Sequence, residues 1–142
     1  MISQPAAALR WCLVCMVLCS AYATADEAME QKAVTAAQTW LALVDSGDYE
    51  TSWHTAAEYF QTVVAQQHWE QSLTAARTPL GKVVSRQLKS KQYTTSLPGA
   101  PDGQYVVIQY ETSFENKKAA VETITPMVNA DGQWRVAGYY IQ

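Results

Sequence analysis

The chain carries three cysteines, Cys12, Cys15 and Cys19, and none beyond position 19. Everything after that point has no disulfide, no thiol nucleophile and no cysteine metal ligand. Basic charge is also scarce, with 10 Lys and Arg against 13 Asp and Glu and only 16% of residues charged. A nucleic-acid surface needs a basic stripe to displace counterions, so that partner class is excluded. No run reaches the roughly 20 apolar residues that a helix needs to cross a bilayer. Histidine is limited to His54 and His68, too few without cysteine to close a zinc shell. Neither a G-x-S-x-G elbow nor a G-x-x-x-x-G-K-[ST] loop occurs. What is present is apolar: 49% of 142 residues, enough for one hydrophobic core and too much for a disordered chain.

The cysteines sit in a targeting segment. Residues 1–9 contain no acid, Arg10 supplies a positive charge, and Trp11 to Cys19 is a continuous apolar run. Small residues come next, as Ala21-Tyr22-Ala23 and Ala23-Thr24-Ala25. A positive start, a short apolar stretch and an A-x-A exit form the layout of a cleavable secretory signal, with cleavage expected after Ala23 or Ala25. Cys12-Leu13-Val14-Cys15 has C-x-x-C spacing, but a redox pair belongs beside a βαβ unit, not inside a secretion segment. No small residue directly precedes Cys15 or Cys19, which disfavours lipid anchoring, so no stable membrane anchor is expected after cleavage. Removing 25 of the 142 residues, Arg10 among them, leaves 117 residues and shifts the net charge from −3 to −4. Two segments are expected: residues 1–25 as the signal, and residues 26–142 as one domain.

The remaining chain changes period halfway along. From Asp26, a capping residue, the pattern reads helical: Val34, Ala37, Leu41 and Val44 form one stripe, flanked by Ala33 and Trp40 and stopped at Gly47. Trp53, Ala57, Phe60 and Val64 form a second stripe, with a break near Ala65. Trp69, Leu73 and Ala76 form a third, ended by Thr78-Pro79 and Gly81. The second half reads as strands. Lys82 to Thr95, Tyr105 to Phe114, Ala119 to Val128 and Gln133 to Ile141 are separated by turn-forming clusters, Asn129-Ala130-Asp131-Gly132 among them. Pro126 cannot donate to a ladder, so its strand is an edge or carries a bulge there. Helices followed by short-turn strands predict an α+β fold, with N-terminal helices packed on a curved four-stranded antiparallel sheet.

The order of elements, together with TSLPGAPDGQYVVIQY, VETITPM and DGQWRVAGYYI, resembles the bacterial domain of unknown function 4019 family. More broadly it resembles the nuclear transport factor 2-like (SnoaL-like) cone fold. The likeness runs from about Met29 to Gln142. It implies that fold and an exported setting, periplasmic or extracellular, in a bacterium. It carries over no catalytic residue and no cofactor.

Some cone-fold relatives are isomerases that work with a tyrosine and carboxylic acids. No tyrosine lies on the first helix after residue 25, and Asp45 and Asp48 are explained by capping and solvation at the Gly47 turn. The candidate ligand-binding residues are Arg86, Glu122, Tyr110 and Tyr140. Arg86 interrupts an apolar frame with Val84 and Leu88, and Glu122 shares a face with Ala120 and Ile124. Tyr110 lies in frame with Val106 and Ile108, and Tyr140 with Trp134 and Val136. Inward, the four make a polar patch that orients a ligand. The alternative is a salt bridge fixing the sheet, or a bulge that turns Arg86 to solvent. His54 is assigned to a solvated helix face and His68 to the rim beside Trp69, with no metal. The positive run Arg77, Lys82, Arg86, Lys89 and Lys91 is assigned to a solvated strand face. The expected function is a non-catalytic module that binds a small apolar ligand in the cone, or a protein partner or second copy on the exposed sheet face. A small isomerase or dehydratase using the same pocket is the alternative.

Overall fold

The structure is a computed structural model that describes residues 12–142, with side chains from residue 24 onward. The signal segment expected over residues 1–25 lies mostly outside the described side chains; Ala23 is outside them and Ala25 is exposed. Helix α1 runs without interruption over Cys12–Asp45. The expected start at Asp26 does not occur, because no Gly or Pro interrupts residues 12–45 and the alanine-rich stretch before Asp26 favours helix. Among the described residues, no helix is long and apolar enough to cross a membrane.

The α1 stripe is placed as its period predicts: Ala33, Val34, Ala37, Trp40, Leu41 and Val44 are all buried. Gly47, at φ 79°, ends the helix in the left-handed region that favours glycine. Asp48 then caps helix α2 (Tyr49–His54) by accepting from the Thr51 N–H. The second stripe breaks at Val64–Ala65, as expected, and also earlier, at Thr55–Ala57. Helix α3 (Glu58–Val63) is separate from α2, because the Ala57 N–H donates to the Val136 carbonyl at 2.8 Å instead of continuing the helix. Helix α4 (Gln66–Arg77) ends in a 3₁₀ turn over Thr78–Leu80. Its buried residues are Trp69, Leu73 and Arg77, at a spacing of four, so Arg77 and not Ala76 completes the inner stripe.

Strands β1 (Val83–Thr94), β2 (Tyr105–Phe114), β3 (Lys117–Val128) and β4 (Trp134–Ile141) form one curved antiparallel sheet in the order 1-2-3-4. The architecture is therefore α+β, as the two periods imply. Pro126 lies in an interior strand, and the register shifts between Thr125 and Pro126, so the bulge alternative holds. On β2, Val106, Ile108, Tyr110, Thr112 and Phe114 line the inner face and are all buried.

The helices cover that face with an aromatic chain. Phe60 packs edge-on against Trp69 at 5.0 Å, Trp69 lies 5.8 Å from Trp40, and Trp40 meets Tyr139 edge-on at 5.5 Å. Such pairs add about 0.5–1.5 kcal/mol each beyond their buried area. Buried indoles need acceptors for their N–H groups, and Ser52, wholly buried, supplies two. Trp40 donates to its carbonyl at 2.7 Å and Trp69 to its hydroxyl at 3.0 Å. Trp53 donates to the Val64 carbonyl at 2.8 Å. One serine of α2 thus ties α1 and α4 together.

Candidate functional site

Six elements bring a charged or hydroxyl group to one point on the inner face. Glu122 of β3 is completely buried there. Its Oε2 accepts from Arg86 Nε of β1 at 2.6 Å and from the Thr112 hydroxyl of β2. Its Oε1 accepts from Arg86 NH2 at 3.1 Å and from the Tyr139 hydroxyl of β4 at 2.5 Å. An ionised carboxylate offers about four lone-pair sites, and all are filled here. The other edge of the Arg86 guanidinium holds Asp45 at the end of α1, with NH1 to Oδ2 at 2.7 Å and NH2 to Oδ1 at 2.9 Å. Arg77, at the end of α4, donates to Asp45 Oδ1 at 2.8 Å and to the Tyr139 hydroxyl at 3.3 Å. Its guanidinium also lies over the Phe114 ring, 5.1 Å from the centroid. Two cations balance two carboxylates, which is the condition under which charges persist in a core.

The environment moves the titrations. Burial alone would push the Asp45 carboxyl up, but the hydrogen bonds from Arg86 and Arg77 outweigh it and hold it below the ordinary carboxylate value. Burial, reinforced by the Glu122 charge and hydrogen bond, pushes the Tyr139 phenol well above its usual range. Tyr110 is raised chiefly by burial.

Of the four expected site residues, Arg86 and Glu122 are brought into direct contact. Tyr110 is paired with Glu122 in the strand register, yet its buried hydroxyl has no hydrogen-bond partner among the described residues. Tyr140 is not part of the site. Ala137 is an extra residue on β4, between Val136 opposite Pro126 and Gly138 opposite Thr125. That bulge moves the inner frame by one, so Tyr139 points in and Tyr140 is 52% exposed. Val84 is a second extra residue, on β1, between Val83 opposite Phe114 and Ser85 opposite Ser113. It is exposed and does not share the face of Arg86, whose side chain turns inward and not to solvent.

Asp45 and Arg77 are not legible as partners in the sequence. A capping aspartate and a surface cation explain each of them locally, and their pairing spans 32 residues. The one signal for Arg77 is its spacing of four from Leu73. For Thr112 it is its place between Tyr110 and Phe114 in the β2 frame. The positive run is a solvated face only in part: Lys82 and Lys89 are exposed, and the other three are not. Arg77 is 6% exposed, Arg86 is paired twice, and Lys91 reaches Glu30 of α1 at 3.5 Å. His54 and His68 are both exposed. Among the described residues, no cluster of three or more His, Cys, Asp or Glu is placed to hold a metal ion.

Hollows lie around this core, among them one of about 270 Å³ that borders Asp45 and Arg77. A groove of about 620 Å³ lies between α1 and the β3–β4 hairpin, walled by Trp40 and Trp134. A hollow of about 440 Å³ lies on the outer sheet face, beside Ser85, Gln87, Glu111 and Gln142. No curated protein and no solved structure matches the chain. The family described as Protein of unknown function (DUF4019) matches residues 36–139, a span that includes every residue of the ion cluster. The chain belongs to that family.

Proposed function

We propose that the chain is an exported, non-catalytic binding module of nuclear transport factor 2-like type, processed after Ala23 or Ala25 and acting in the periplasm or outside the cell. The observation that carries the non-catalytic reading is the state of Glu122. A general base in an isomerase or dehydratase must accept a substrate proton, and so needs a free lone pair within reach of substrate. Glu122 is 0% exposed, with four hydrogen bonds already on its carboxylate. The inner face of the sheet is filled by Trp40, Leu41, Ile108, Tyr110 and Ile124. Binding is therefore assigned to the flanking surfaces, and the ion cluster to holding them in place.

Native mass spectrometry of the chain recovered from exporting bacteria tests both halves of the reading. The expected spectrum shows a chain starting at Thr24 or Asp26, with a noncovalent small molecule or second copy retained. An unprocessed chain in the cytoplasm would contradict the export reading. A processed chain that turns over a ketosteroid or hydroxy-acyl substrate, and stops doing so as Glu122→Gln, would contradict the non-catalytic one.

A further inference from the structure

The groove between α1 and the β3–β4 hairpin has an uneven chemistry. Its lining includes two cations, Lys32 and Arg135, and no carboxylate, in a chain whose net charge is −3. Lys32 stands exposed on α1 without an ion-pair partner among the described residues. Arg135 is held at the opposite wall by Asp131, at 2.7 Å. Between them the floor offers little to a polar ligand. The Thr35 and Thr39 hydroxyls donate to their own helix, to the Gln31 and Thr35 carbonyls at 3.0 and 3.1 Å, so neither is a free donor. The Trp40 indole N–H is likewise spent on Ser52. What remains on the α1 side is methyl and ring surface from Ala36, Leu43 and Trp40. At about 620 Å³ the groove is within the size range of small-molecule sites.

We infer that this groove binds a single-chain anionic amphiphile, a free long-chain carboxylate, with the apolar chain along the α1 floor and the headgroup at Lys32 and Arg135. The inference rests on the binding-module reading and names its ligand class. The apolar α1 floor, whose own donors are spent, favours the chain, and the donors left over, the Gln133 amide and the Trp134 indole N–H, lie on the hairpin wall beside Arg135, where a headgroup would sit. Lys32, with no ion-pair partner among the described residues, and Arg135, whose partner Asp131 lies outside the lining, favour a carboxylate head through charge-assisted hydrogen bonds.

Titration of the purified chain with dodecanoate, below its micellar range, tests this by calorimetry and by tryptophan fluorescence. Dodecanoate is expected to saturate one site, and acetate, which has the head alone, to give no binding. Dodecyltrimethylammonium, with the same chain and the opposite charge, is expected to bind about tenfold or more weakly. Lys32→Glu, on an exposed helix face, is expected to weaken dodecanoate about tenfold with an unchanged circular dichroism spectrum. Thr39→Trp, which fills the floor, is expected to abolish binding. Equal affinity for the two charged amphiphiles, or a Lys32→Glu chain that binds dodecanoate as well as the parent, would overturn the inference. So would binding to phosphatidylglycerol vesicles without binding to monomeric dodecanoate. A different compound retained in native mass spectra, with no dodecanoate binding, would overturn the ligand class and leave the binding-module reading standing.

Discussion

Arg86 reaches Glu122 across an intervening strand. The two residues lie on β1 and β3, which are not hydrogen-bonded neighbours, and the Nε to Oε2 distance of 2.6 Å is closed over the top of β2. Adjacent strands are about 4.8 Å apart, so the span is nearly two strand spacings and suits the longest cationic side chain. The same guanidinium then reaches Asp45 on α1. Two carboxylates and one fork tie two strands and a helix to one point, and Thr112 and Tyr139 add the other two strands.

Acid is expected to loosen this tie. Asp45 titrates below its ordinary value in the folded chain, so its pairing stabilises the fold above the unfolded value of about 3.9. That contribution is lost as pH falls from there through the folded value. Urea unfolding midpoints between pH 7 and 2.5 check it: the steep part of the decline should lie below about pH 4, and Asp45→Asn should flatten it.

Alkali acts through the phenols. Tyr139 and Tyr110 are both raised in the folded chain, the first by burial and Glu122, the second chiefly by burial. Their neutral forms stabilise the fold fully below the unfolded tyrosine value of about 10, and that stability is lost as pH rises beyond it. Phenolate absorbance is expected to show Tyr139 and Tyr110 ionising only with unfolding. Tyr139→Phe should remove one of them.

Three tyrosine substitutions separate the roles of the inner face. Tyr139→Phe deletes a donor to a buried carboxylate and is expected to cost about 1–3 kcal/mol. Tyr110→Phe deletes a buried hydroxyl that has no partner among the described residues, and is expected to be neutral or stabilising by up to about 1 kcal/mol. Tyr140→Phe, on the outer face, is expected to stay within about 0.5 kcal/mol. Denaturant midpoints at fixed pH order the three.

Gly81 and Gly47 are both at positive φ, but their surroundings differ. Gly81 has φ 73° and ψ −160°, a region close to glycine-only, and a β-carbon there would come within 2.6 Å of the Glu115 carboxylate. A β-carbon on Gly47 meets nothing within 4 Å. Gly47→Ala is expected to cost about 1 kcal/mol and Gly81→Ala clearly more, about 2–3 kcal/mol, by thermal or urea unfolding.

Much of this molecule is legible in its residues. The β2 boundaries, Tyr105 and Phe114, come from alternation, and the α1 stripe comes from a period of 3.6. Single-residue bulges are not legible. The extra residue Ala137 reverses the face of every later residue on β4, Val84 does so on β1 until a further shift between Leu88 and Ser90 restores the frame, and an alternating pattern contains no mark of where a bulge falls. Tyr139 and Tyr140 exchange places for that reason alone. Asp45 and Arg77 are hidden differently. Each has a sufficient local explanation, and only the folded chain shows that a helix C-terminus, a second helix and a strand deliver their charges to one point.

A double-mutant cycle on Arg86 and Glu122 bears most directly on the claim that the Glu122 carboxylate is spent on holding the fold. Unfolding free energies would be measured for the parent, Arg86→Leu, Glu122→Gln and the double variant. Breaking a buried pair from either side is expected to cost about 3–5 kcal/mol. The predicted coupling is about 1–3 kcal/mol, so the double variant should lose much less than the sum of the single losses. Additivity within about 0.3 kcal/mol would contradict the claim and return Glu122 to the candidates for chemistry.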